Sequence, residues 1–134
     1  ESVAGSRIGD VGYAVQQHAE VSQHYGVSRE MVGHGIGKKL HEPPEVPNYG
    51  KRGKGPMLHE GLTIAIEPMI NFGTREVVLK KDGWTLTTRD LKPSAHYEHT
   101  IAIQKSAADV LSDHKVIDQA IKNNVNLSEV WIKR

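Results

Sequence analysis

Gly33-His34-Gly35-Ile36-Gly37-Lys38-Lys39-Leu40-His41-Glu42-Pro43-Pro44 decides how the rest of this chain is read. It sets two imidazoles seven residues apart, with glycines around the first and prolines after the second. On one helix such a pair would sit about 10 Å apart, and alternate glycines disfavour a helix in any case. His34 therefore reads as the end of a strand running from Val27 to Gly33, and His41 as part of the loop that follows. Pro43, Pro44 and Pro47 keep that loop extended and stiff. Gly33, Gly35 and Gly37 relax the backbone around His34, so that a ligand atom can approach closely.

Two acidic signals lie downstream. In Leu62-Thr63-Ile64-Ala65-Ile66-Glu67-Pro68-Met69 the isoleucines alternate with Thr63, Ala65 and Glu67, which is the period of a strand. Pro68 cannot donate to a ladder, so the strand is interrupted at or just after Glu67. A second alternating run starts at Glu98: His99, Ile101 and Ile103 share one face, and Glu98, Thr100 and Ala102 the other. Two such strands, paired, would project both glutamates to one side. One imidazole, two carboxylates and a second imidazole nearby suit a hard-to-intermediate metal ion and metal-activated water chemistry.

The remaining chain organises around these signals. Ile8, Gly12, Val15, Ala19 and Tyr25 recur at near-helical spacing over residues 2–25, with Gly26 as the stop. Residues 42–60 read as a Pro/Gly-rich loop. Glu76–Lys81 and Trp84–Thr88 read as short strands joined at Asp82-Gly83, a hairpin signal. Residues 95–104 form the strand that carries Glu98. Ser112–Lys122 reads as an amphipathic helix capped by Ser112, with Val116, Ile117, Ala120 and Ile121 turned inward. Asn123–Arg134 carry no identifiable chemistry. Lone histidines such as His18, His24, His59 and His114 read as surface residues.

Composition bounds the function classes. At 134 residues, with 37% apolar residues and 13 glycines, one globular domain is expected. The net charge of +1, from 17 basic and 16 acidic residues, leaves no nucleic-acid footprint. Lys51-Arg52-Gly53-Lys54 is a short basic cluster, read as a solvated loop in preference to a contact with ribosomal RNA. Without cysteine there is neither a disulfide framework nor thiol catalysis. No apolar run approaches the roughly 18 residues of a membrane span, and residues 1–30 lack a secretory signal pattern. The default location is the cytoplasm.

Taken together and in order, five motifs carry a family resemblance: the His-Gly-Ile-Gly run, His41-Glu42-Pro43, Ile66-Glu67-Pro68-Met69, Asp82-Gly83-Trp84-Thr85, and Ser94 to Thr100 with Tyr97-Glu98-His99 at its centre. They resemble the type I methionine aminopeptidases over roughly residues 1–104. The resemblance implies an α+β, pita-bread (creatinase/aminopeptidase-like) fold, of which this chain is the C-terminal half: an antiparallel sheet with covering helices. Residues 1–105 would belong to the catalytic domain and 106–134 to a C-terminal helical extension of it.

Carried over position by position, the resemblance makes His34, Glu67 and Glu98 metal ligands, with Glu98 bridging two divalent ions (cobalt, manganese or iron(II)). His41 would contact substrate near the scissile amide and act as the catalytic histidine. Leu40 and Trp84 would line the pocket for the methionine side chain. His96 stands where many relatives have glutamine and is assigned to substrate binding. The family's site also uses two aspartates and a further histidine from an N-terminal half, which is expected elsewhere in the same protein; Asp10 lies in a helical stretch and does not replace them. A half-fold alone would leave a sheet edge and a face uncovered, predicting poor solubility or dimerisation. The implied activity is removal of the N-terminal methionine from nascent polypeptides, with the ribosome as a further partner and no membrane. Met69 argues against a proline-specific peptidase of the same fold, and the complete ligand set of this half argues against a catalytically silent binding module.

Overall fold

The computed structural model describes residues 1–112 and 114–124. The chain begins with helix α1 (Ile8–Gln16) and continues through a π-helical turn over Gln17–Ser22. The strands follow in order: β1 (Gly26–Val27), β2 (Gly33–Ile36), β3 (Glu42–Val46), β4 (Thr63–Ile66), β5 (Met69–Asn71), β6 (Val77–Leu79), β7 (Leu86–Thr88), β8 (Ser94–His96), β9 (His99–Ala102) and β10 (Asp109–Val110). Helix α2 (Lys115–Asn123) comes last. The strands form a five-stranded sheet ordered β10-β9-β4-β2-β3, a three-stranded sheet ordered β1-β5-β8, and the separate β6-β7 hairpin; every pairing is antiparallel.

One ribbon runs through both larger sheets. β4 pairs with β9, with Thr63 opposite Ala102 and Ile66 opposite His99. Beyond Pro68, β5 pairs with β8 in the same continuous register, with Met69 opposite His96 and Asn71 opposite Ser94. The ladder is thus broken only at Glu67-Pro68 and Tyr97-Glu98, where the chain passes from one sheet to the other, as the missing N–H of Pro68 requires. The ribbon's inner face supplies the core. Ile64, Ile101 and Ile103 pack with Val46, Leu58 and with Ile8 and Val11 of α1, all of them buried.

Helix α1 is shorter than its apolar spacing suggests: it starts at Ile8, not at residue 2. Asp10 fixes that start by accepting a hydrogen bond from the Arg7 amide at 2.8 Å and another from the Gly53 amide at 2.8 Å. These two amides, Gly53's foremost, hold the Asp10 carboxyl below its usual range. Gly12 lies against the loop after β3, where a Cβ would meet the carbonyl oxygens of Tyr49 at 2.3 Å and Pro47 at 2.6 Å. Gly26 is not a helix cap; it opens β1, pressed against the backbone of Arg75.

Several other expectations are corrected. Val27–Gly33 is not one strand, because β1 joins the three-stranded sheet and the chain must cross over before β2 begins. Residues 42–60 are not all loop. Glu42–Val46 form β3, which tolerates Pro43 and Pro44 because it is an edge strand whose outer N–H groups need no partner. The strand expected over 95–104 is split into β8 and β9. The hairpin strands are the shorter Val77–Leu79 and Leu86–Thr88, which leaves Trp84 in the turn.

Ser112 does not cap α2, which starts after His114; its hydroxyl instead lies 2.8 Å from His99 Nδ1 and accepts from the Thr100 amide at 3.2 Å. Nor do Val116, Ile117 and Ala120 turn inward: α2 has no buried residue, and Val116 is 75% exposed. His114 is half-buried, stacked on the His99 ring at 4.6 Å and bonded to the Tyr97 hydroxyl, so it is not the lone surface residue expected. The reading of Asn123–Arg134 falls almost wholly outside the described residues.

Ile64→Ala should lower unfolding free energy by about 2–5 kcal/mol, read from urea denaturation, since Ile64 is fully buried at the centre of the core. Asp10→Ala should lower the urea midpoint near neutral pH, and the deficit should shrink on acidification. A carboxyl held below its unfolded value stabilises the fold above that value, and the contribution is lost as pH falls through the folded one. An unchanged deficit at about pH 2, where even the unfolded carboxyl is protonated, would contradict this.

Candidate metal centre

Three neighbouring strands deliver the candidate ligands to one place. β2 pairs with β4 so that Gly35 faces Ile64 and Ile36 faces Thr63. Continued by one residue, this register sets His34 across from Ala65. Glu67 follows the last residue of β4, and Glu98 precedes the first residue of β9. Continuing the β4–β9 register places the two glutamates opposite one another, on the face that also carries Ala65 and Thr100. Ligand atoms of His34, Glu67 and Glu98 all lie within 4.8 Å of one another.

The glycines beside His34 serve this convergence in a different way from that expected. None of Gly33, Gly35 and Gly37 has a positive φ, so backbone freedom is not their role. A Cβ on Gly33 would meet the Ala65 carbonyl oxygen at 2.2 Å, and one on Gly35 the Pro43 carbonyl oxygen at 2.2 Å. They let β3 and β4 close on β2 from either side.

His34 Nδ1 lies 2.9 Å from the Gly35 carbonyl oxygen. A carbonyl only accepts, so in the neutral ring the proton is on Nδ1 and the lone pair is on Nε2. That Nε2 faces Glu67 Oε1 at 3.4 Å. A carbonyl that fixes the tautomer and leaves the second nitrogen free is the outer support that metal-binding histidines require. Glu67 is held at both ends: its carbonyl accepts from Asn48 Nδ2 at 3.4 Å, and its Oε2 lies 3.2 Å from His96 Nε2. Asn48 is 1% exposed, so this tether comes from the interior. One imidazole nitrogen and two carboxylates whose ligand atoms lie within 4.8 Å of one another fit a divalent cation.

His41 precedes β3, and its ring centroid lies 4.2 Å from that of His34. The loop is closed by Glu42, whose Oε1 accepts from the Lys39 amide at 2.7 Å. Leu40 is 68% exposed beside it. Trp84 stands apart on the hairpin turn, 89% exposed. Its amide donates to Asp82 Oδ1 at 3.0 Å, as the Thr85 amide does at 2.9 Å. Thr85, through hydroxyl and amide, and then Trp84 hold the Asp82 carboxyl below its usual range. His34, His41, Glu67, Glu98 and His96 are therefore brought together, whereas Trp84 is not joined to them by a described hydrogen bond or ring contact. Sequence reasoning missed Asn48 and the Gly35 carbonyl; only the close approach of three strands reveals their part.

The chain belongs to metallopeptidase family M24, whose signature matches residues 2–105. It is 52% identical over 108 residues to methionine aminopeptidase A of Synechocystis, covering 81% of this chain and 42% of that protein. It is 46% identical over 112 residues to methionine aminopeptidase 1 of Bacillus subtilis, covering 84% and 45%. The crystal structure of methionine aminopeptidase from Rickettsia prowazekii superimposes with a TM-score of 0.78 at 45% identity, covering 81% of this chain and 44% of that one. That from Thermotoga maritima does so with a TM-score of 0.78 at 48% identity, covering 81% and 43%. The expected pita-bread architecture and the resemblance to type I methionine aminopeptidases are borne out, and the chain spans less than half the length of these relatives.

Glu98→Ala in the complete protein should weaken manganese binding by more than about tenfold, a cost that even outer partners of a metal site reach, measured by calorimetric titration of metal-stripped protein. Glu98 is exposed and outside the core, so the circular dichroism spectrum should not change. Wild-type affinity in this variant would remove Glu98 from the ligand set.

Proposed function

We propose that this chain is the part of a methionine aminopeptidase that supplies half of its metal centre, and that the complete protein releases the N-terminal methionine from nascent polypeptides. The observation that carries this reading is the convergence of His34, Glu67 and Glu98 within 4.8 Å, in a chain 52% identical to a methionine aminopeptidase over 108 residues. His34, Glu67 and Glu98 would hold divalent metal, together with further ligands from outside these residues. Cobalt, manganese and iron(II) are the candidates that the donor set favours. When bound, the metal supplies Lewis acidity and a water of lowered pKa.

The chain's own residues do the rest. His41, with its ring against that of His34, would donate a hydrogen bond to the carbonyl oxygen as negative charge develops there during attack on the first peptide bond. Leu40, next to it, and Trp84, from the hairpin, would enclose the methionine side chain; closing Trp84 over the site would also remove its large apolar ring from water. His96, whose Nε2 lies 3.2 Å from Glu67 Oε2, would also meet substrate.

Nascent chains at the ribosome would supply the substrate, and the cytoplasm would be the location. The cluster Lys51-Arg52-Gly53-Lys54 gives little support to a direct ribosome contact, since Arg52 pairs with Glu1 at 2.9 Å and lies 4.6 Å over the Tyr13 ring. Among the described residues, no helix is long and apolar enough to cross a membrane.

The complete protein, stripped of metal and resupplied with manganese or cobalt, should release methionine from Met-Ala-Ser and leave an X-Pro dipeptide intact. The reverse preference would favour the proline-specific reading. His41→Ala should lower kcat by about 10²–10⁴-fold, the usual worth of a positioned proton donor, at unchanged metal content. An unaltered rate would remove His41 from the chemistry.

A further inference from the structure

The centre has one member that the ligand set does not explain. His96 Nε2 lies 3.2 Å from Glu67 Oε2, on the opposite side of the carboxylate from the 3.4 Å approach of His34 Nε2 to Oε1. Among the described residues the metal-capable group is His34, Glu67 and Glu98, and His96 is not part of it. We propose that His96 is a positioning residue of the metal centre: its imidazole occupies the second oxygen of Glu67, so that the carboxylate presents Oε1 alone to His34 and Glu98. This rests on the metal-centre reading above.

The contact follows from the ribbon. Met69 is the cross-strand partner of His96, and Glu67 lies two residues before Met69 on the same face. Glu67 and His96 are therefore diagonal neighbours, about 7–8 Å apart at the backbone, a gap that two long side chains span. Both backbones are anchored. Ser94 Oγ donates to Asn71 Oδ1 at 2.8 Å, and buried Asn71 donates to the Thr74 carbonyl at 3.0 Å, which fixes β8 on β5. Asn48 tethers the Glu67 carbonyl.

A free carboxylate rotates broadly about its last torsion, and could then turn both oxygens to an ion or swing away from it. An imidazole nitrogen held 3.2 Å from Oε2 would limit that freedom and leave one defined ligand atom. Glutamine would offer an amide N–H for the same task on a shorter reach. The Glu67 side chain is 16% exposed and that of His96 43%, so the imidazole lies on the more open side of the pair.

The test is manganese affinity of metal-stripped complete protein by calorimetric titration, together with the visible spectrum of the cobalt form, for wild type, His96→Ala and His96→Gln. Thermal midpoints without metal should agree across the three. His96→Ala should bind manganese about 10–100-fold more weakly. His96→Gln should recover most of that loss and keep the wild-type cobalt spectrum, because the ligand set is unchanged. Wild-type affinity in His96→Ala would overturn the proposal. So would a His96→Gln protein as weak as His96→Ala with a shifted cobalt spectrum, because His96 would then be a ligand itself. A wild-type protein that bound no manganese would overturn the metal-centre reading as well, which separates the two failures.

Discussion

Two carboxylates stand opposite each other on adjacent strands, and much of the structure follows from tolerating that. The unbroken register between β4–β9 and β5–β8 sets Glu67 across from Glu98. Like charges directly opposed on one face of an antiparallel pair are destabilising. Positive charge between them would offset that repulsion, and His34 completes a set of donors within 4.8 Å. The pair sits where Pro68 breaks the ladder, so the glutamates emerge where the ribbon bends from one sheet into the next. The backbone is free of strict pleating there, and long side chains can converge.

Bringing a third strand alongside imposes its own demands. Gly33 and Gly35 clear space for the carbonyls of Ala65 and Pro43, and Ala65 keeps the face between His34 and Glu67 small. A larger residue at any of these positions would push β2 outward and carry His34 away from the glutamates. The motif around His34 is thus a packing requirement that secures a chemical one. The Gly35 carbonyl does both, since it belongs to the strand and also sets the tautomer of His34.

Much of this was legible in the sequence. Alternation around Ile64 and Ile101 assigned the residues of β4 and β9 to their faces, and Pro68 marked the break, because period-two patterning and a missing N–H are local signals. What was hidden depended on partners. Glu42–Val46 read as loop because prolines argue against strands, and only its place at a sheet edge permits them. The extent of α1 was overestimated because apolar spacing continues through the π-helical turn, while the true start is set by Asp10 and a distant amide at Gly53. The inward face assigned to α2 rested on periodicity alone, which records that a face is apolar and not what covers it. The contact of His96 with Glu67 needed the register of β5 against β8, which no single segment reveals.

Stability and chemistry occupy opposite faces of the same ribbon. Ile64, Ile101 and Ile103 face α1 and the buried Val46 and Leu58, whereas Glu67, His96 and Glu98 lie on the reverse side with Ala65 and Thr100. Because successive side chains alternate, the core can lock the strands in register without touching the glutamates, and the two carboxylates can carry mutual repulsion without opening the core. His99 marks the join between the two. It lies on the core face, but its ring leaves the isoleucines to meet Ser112 and stack on His114, so the segment leading into α2 is tied to the residue next to Glu98. That tie fixes the start of β9 from outside the sheet, as Asn48 fixes the end of β4 from within. Each glutamate thus projects from a strand end held on a second side, which keeps the two carboxylates in place against their own repulsion.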